Sequence, residues 1–91
     1  MSVTVNIPTV LRKFTDGESR VEADGTTLRA VLADLEAAHP GITKNVVDGD
    51  SLYRFINVFV NEADARLNGG LELAVTDGDT VRILPAVAGG S

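Results

Sequence analysis

Thr27-Leu28-Arg29-Ala30-Val31-Leu32-Ala33-Asp34-Leu35-Glu36-Ala37-Ala38 carries the one long helical pattern in this chain. Leu28, Val31, Leu32 and Leu35 recur at i, i+3, i+4 and i+7 and form a single apolar stripe, which Ala37 and Ala38 extend. The turn Asp24-Gly25-Thr26-Thr27 leads in, and Thr26 or Thr27 can cap the helix by accepting a bond from a free backbone N–H. His39-Pro40-Gly41 ends it, because proline disfavours helical geometry at the preceding residue. One helix with one apolar face needs one sheet to cover it.

Working outward, the flanks supply that sheet. Val3-Thr4-Val5-Asn6-Ile7 alternates apolar and polar residues and stops at Pro8, as a half-buried strand does. Thr15-Asp16-Gly17 is a turn, and Ser19 to Ala23 reads as a second strand returning antiparallel to the first. Beyond the helix, Tyr53 to Val60 is the strongest strand signal, with Ile56, Val58 and Val60 facing inward and Phe55, Asn57 and Phe59 outward. Asn61 to Asp64 reads as a tight turn and Ala65-Arg66-Leu67 as a short strand. Asn68-Gly69-Gly70 is a turn, Leu71 to Val75 a connection, and Thr80 to Leu84 the last strand, ending at Pro85. The order is strand, strand, helix, strand, short strand, strand. It predicts an α+β layering, and the β-grasp satisfies it: a mixed sheet of four to five strands over one main helix, the helix returning the chain for a parallel pairing.

Composition narrows the functions. The chain has 91 residues, enough for one modest core. It holds no cysteine, which excludes disulfides, a thiol nucleophile and a thiolate metal site. A net charge of −5, with scattered arginines and lysines, argues against nucleic acid and against an anionic membrane surface. No apolar run is long enough to span a bilayer, and Met1-Ser2-Val3-Thr4 does not open a signal peptide, so a cytoplasmic location is expected. Asp48-Gly49-Asp50 and Asp77-Gly78-Asp79 lack the ligand count and spacing of a calcium loop and read as turns. No metal site is expected. His39, the single histidine, closes the helix and suits its C-terminal dipole. No catalytic group is legible.

The tail is the remaining feature. Pro85-Ala86-Val87-Ala88-Gly89-Gly90-Ser91 is small and apolar and ends in two glycines and a serine. Glycine, without a Cβ, lets backbone lie flat on another surface or enter a narrow channel; fraying is the ordinary fate of last residues. The division expected is a β-grasp body over residues 1–85 and a flexible tail over 86–91. Phe59 and Leu84, both outward, are expected to form an apolar patch on the open sheet face close to the tail, and Arg82, also outward, is a candidate for pairing with a partner carboxylate.

A β-grasp ending in Gly-Gly resembles the ubiquitin-like sulfur carriers: the thiamin carrier, the small subunit of molybdopterin synthase, and the CysO type. Four stretches are similar to the CysO type: Ile7-Pro8-Thr9-Val10-Leu11-Arg12, Arg54 to Asn61, Asp77-Gly78-Asp79, and Ile83 to Gly90. The resemblance implies a carrier rather than an enzyme. It implies that an E1-like adenylating sulfurtransferase of the MoeB/ThiF type uses ATP to activate the Gly90 carboxylate, which becomes a thiocarboxylate. It implies that a pyridoxal-phosphate (PLP) cysteine synthase takes that sulfur, with O-phosphoserine as acceptor substrate. It implies further that a JAMM-type zinc metallopeptidase releases the cysteine. Val87, Ala88, Gly89 and Gly90 would be the recognised tail. Ser91 departs from the pattern, since it follows the glycine that would be charged; it is expected to be either a processing position, removed first, or a block that keeps this form from being charged. The molybdopterin type shares the Val-Ala-Gly-Gly ending and stays as an alternative. A ubiquitin-like modifier joined to lysines, and a plain β-grasp binding domain, stay beside it.

Overall fold

The computed structural model describes residues 2–85. The chain runs β1 (Val3–Asn6), β2 (Arg20–Ala23), α1 (Leu28–Ala38), β3 (Val47–Asp48), β4 (Ser51–Leu52), β5 (Ile56–Val60), β6 (Ala63–Asp64) and β7 (Thr80–Pro85), with 3₁₀ turns over Thr9–Phe14, Ile42–Asn45, Ala65–Leu67 and Gly70–Glu72. Five strands form one mixed sheet in the order β2-β1-β7-β5-β6, and β3 and β4 form a separate small hairpin. β1 pairs antiparallel with β2 and parallel with β7, with Val5 opposite both Val21 and Val81. The first and last strands are therefore neighbours at the centre of the sheet. The β-grasp expected from the sequence is the fold observed.

One side of the sheet packs on α1. Leu28, Val31, Leu32 and Leu35 are buried against Val3, Val5, Val58, Val81 and Ile83 of the sheet. Thr27 is the N-cap, its Oγ1 accepting from the Ala30 N–H at 3.2 Å. Two further bonds fasten the helix start, Leu28 N–H to Leu73 O (2.9 Å) and Val75 N–H to Thr26 O (3.0 Å). They explain why Leu71–Val75, although alternating, does not join the sheet: its backbone is used on the helix entrance. Gly25 lies under the same entrance, where a Cβ would stand 2.6 Å from Val31 N. Glycine fits there because no side-chain atom would.

Two expected elements are corrected. The strand expected over Tyr53 to Val60 begins at Ile56, with Arg54-Phe55 in a turn before it. Ala65-Arg66-Leu67 is a 3₁₀ turn, and the short strand lies earlier, at Ala63–Asp64. The tight turn shrinks to Asn61-Glu62, with Asn61 left-handed at φ 56°. Asp64 caps the 3₁₀ turn by accepting from the Arg66 N–H at 2.9 Å. The Arg66 guanidinium then reaches back to Tyr53 O (2.9 Å), Ile56 O (2.8 Å) and Asn57 Oδ1 (3.3 Å). Helical curvature brings the arginine to these acceptors.

The Asp77-Gly78-Asp79 turn is occupied by the chain's own donors. Asp77 accepts from Ser2 N–H (2.7 Å), while Asp79 accepts from Thr76 N–H (2.9 Å) and Asn61 Nδ2 (3.1 Å). These bonds hold the Asp79 carboxyl below its ordinary range. Among the described residues no three His, Cys, Asp or Glu side chains gather as metal ligands. No described helix is long and apolar enough to cross a membrane.

Candidate functional site

The open face of the sheet, opposite α1, carries the candidate residues. Pairing places Asp64, Phe59, Arg82, Asn6 and Arg20 in one row across β6, β5, β7, β1 and β2. Leu84 stands opposite Asn57, one step along, and so is the diagonal neighbour of Phe59. Phe59 is half-buried and Leu84 is 38 % exposed. Phe59, Leu84 and Arg82 thus share one surface. The Arg82 guanidinium carbon lies 5.8 Å from the Phe59 ring centroid and shields one face of it.

Phe55 behaves differently. It precedes β5, and its ring meets Tyr53 edge-on at 5.3 Å, with the Arg54 guanidinium 4.9 Å away. It is 45 % exposed and belongs to the rim of the open face. Arg66, which the sequence reading placed in a strand, enters this face through Asn57. Its signal is a long-range contact to carbonyls, which no local pattern carries.

At the end of the sheet where β7 reaches Pro85 lies an open groove of about 610 Å³. Asn6, Val10, Arg12, Arg20, Leu84 and Pro85 are among its lining residues. β1 and β7 are parallel, and β7 runs on past the end of β1 at Asn6, so the loop after β1 forms one wall and the last strand the other. Val87, Ala88, Gly89, Gly90 and Ser91 lie outside the described residues. Their attachment point does not: it is Pro85, beside the groove and on the strand bearing Leu84 and Arg82.

Among the described residues this surface has no nucleophile and base set together and no enclosed polar cleft. It offers a shallow apolar and basic face beside Pro85, from which the small-residue tail continues. The ThiS family matches residues 5–90.

The chain belongs to the ThiS family.

Its relatives sharpen the assignment. The sulfur carrier protein CysO of Mycobacterium tuberculosis is 54 % identical over 99 % of this chain and 100 % of the relative. A solved chain from the Amycolatopsis orientalis BexX/CysO complex is 56 % identical, with a TM-score of 0.91 over 97 % of this chain and 99 % of that one. SAMP1 of Haloferax volcanii shares the fold at 28 % identity and a TM-score of 0.77, over 99 % of this chain and 100 % of that one. This ThiS-family chain is therefore a ubiquitin-like β-grasp domain with relatives that are named sulfur carriers.

Proposed function

We propose that this chain carries sulfur on the carboxylate of Gly90 for cysteine biosynthesis. The observation that supports this above all is the 54 % identity to CysO carriers along practically the whole chain, tail included. In this reading the Gly90 carboxylate attacks the α-phosphorus of ATP on an E1-like adenylating enzyme. Pyrophosphate leaves, and the carboxylate, a poor electrophile, becomes an acyl-adenylate. Hydrosulfide then attacks the acyl carbon, AMP departs, and a thiocarboxylate remains. A thiocarboxylate is anionic at neutral pH and nucleophilic at sulfur, which suits transfer to the electrophile that a PLP cysteine synthase makes from O-phosphoserine. A JAMM-type zinc peptidase then frees the cysteine.

The chain's own part is recognition and reach. The Phe59–Leu84–Arg82 surface docks the partner, and residues 87–90 deliver the carboxylate to chemistry that the partner supplies. Burying one such apolar side chain contributes about 1.5–3 kcal/mol, enough to dock and little enough to release. A relative held in a BexX/CysO complex fits a carrier that works through protein partners. Ser91 must be removed before Gly90 can be charged.

Likeness to the small archaeal modifier proteins, 33 % identity over 67 residues for one of them, supports a second reading, attachment through Gly90 to lysines of other proteins. Intact mass separates the two. The chain, ending at Gly90 or at Ser91, is incubated with the adenylating enzyme, ATP and sulfide. The form ending at Gly90 is expected to gain the mass of one oxygen exchanged for sulfur, and the form ending at Ser91 to stay unchanged. No exchange with a demonstrably active enzyme would remove the carrier reading. Tail-dependent adducts on lysine would select the modifier.

A further inference from the structure

The charge of this chain is unevenly placed. Acidic residues outnumber basic ones, 13 to 8, yet arginines gather at one corner of the open sheet face. Arg20 and Arg82 stand on the strands flanking β1, each directly opposite Asn6. Their backbones are two strand spacings apart, roughly 9–10 Å. Neither forms an ion pair among the described residues, whereas Arg29 is held by Glu72 at 2.8 Å and Asp50 at 3.6 Å. Arg12 and Arg20 both line the 610 Å³ groove beside Pro85, and among the described residues no acidic one lines it. Val10 and Leu84, 60 % and 38 % exposed, line the same groove.

Asn6 adds an independent observation. Its Oδ1 is buried and has no hydrogen-bond donor. A buried acceptor without a donor costs free energy that a bound state can recover. The two side chains opposite it are arginines, which carry only donors, five each in a rigid fork.

We propose that this corner docks an acidic, partly apolar segment of a partner protein, with one of its carboxylates held between Arg20 and Arg82 above Asn6. A guanidinium drawn over Asn6 by the carboxylate gives two N–H groups to it in the bidentate fork and a third to Asn6 Oδ1. Arg82, already stacked on Phe59, keeps its N–H edges free for this. The apolar residues of the segment lie along Val10 and Leu84. This deepens the carrier reading and rests on it: the corner lets the adenylating enzyme recognise the body of the carrier while the tail is inside the active site.

The test is the affinity of the chain for the E1-like adenylating enzyme, by titration calorimetry at low and high salt. The double charge reversal Arg20→Glu with Arg82→Glu is expected to weaken binding about tenfold or more and to flatten its salt dependence. Lys44→Glu, an exposed change outside the corner, is expected to stay within about twofold of the parent chain. Both arginines are exposed, so the unfolding transition should not move appreciably and folding does not confound the comparison. Equal affinity of the double variant and the parent overturns the proposal while leaving the carrier reading intact if mass exchange still occurs. A parent chain that neither binds nor is charged removes both. Self-association of the chain that the reversal dissolves would assign the corner to a second copy and overturn the proposal as well.

Discussion

Arg82 and Phe59 are directly opposed on β7 and β5, and the guanidinium carbon rests 5.8 Å from the ring centroid. The pair presents an aromatic ring already covered on one side by a cation. A partner that displaces the arginine gains the ring; a partner that keeps it gains a pre-oriented donor fork.

Phe59→Ala should therefore separate docking from folding. The side chain is only half-buried on the open face, so the stability loss should be about 1 kcal/mol by denaturant titration. The KM of the adenylating enzyme for the carrier should rise about tenfold or more, with kcat little changed, because the lost contact is one of binding. Charging at the parental rate under subsaturating carrier would rule out the docking role.

Gly25→Ala should destabilise the domain although it adds only a methyl group. The new Cβ would stand 2.6 Å from Val31 N and 2.8 Å from the Ala30 carbonyl carbon, both backbone atoms. Neither can swing aside, so the helix entrance must shift, at a cost of about 1–3 kcal/mol. A chevron or equilibrium melt showing no loss would mean that the Asp24-to-Thr27 turn adapts freely.

Arg66→Lys should fail to replace arginine. The guanidinium serves Tyr53 O, Ile56 O and Asn57 Oδ1 together. An ammonium is a point charge and lacks the planar fork. A loss of about 1–2 kcal/mol is expected for lysine and alanine alike; lysine matching the parent in thermal unfolding would show that charge alone suffices.

Glu36→Gln tests the acid side of stability. Glu36 accepts from Thr43 Oγ1 (2.6 Å), Gly41 N–H (2.7 Å) and Thr43 N–H (3.1 Å), and these bonds lower its pKa. A carboxyl with a depressed folded-state pKa stabilises fully above its unfolded value. That contribution is lost as pH falls through the folded value. The variant should melt below the parent at neutral pH, and the two melting temperatures should converge under acid. A constant gap across that range would refute the assignment.

How much of this was legible in the sequence depends on the range of the interaction. Thr27 as cap, the Leu28–Leu35 stripe, and the alternation of β1, β5 and β7 are local patterns, and each sits where those patterns put it. The shared face of Phe59, Arg82 and Leu84 followed from strand parity. What escaped was set by single long-range bonds. Arg66 bends its segment because carbonyls ten and thirteen residues back accept from it. The Asn6 acceptor stranded between Arg20 and Arg82 requires knowing which strands flank β1, and hence the crossover itself.

The parallel β1–β7 pair has a mechanical consequence. β7 is bonded by β1 over Thr80–Arg82 on one side and by β5 over Val81–Pro85 on the other. A force applied beyond Pro85 acts along that strand and must shear both ladders together; it cannot unzip them one bond at a time. An enzyme that grips and pulls the end of this chain should drag the whole domain toward itself rather than peel off its last strand. The body then acts as a rigid stop, fixing how far the tail can advance into a partner.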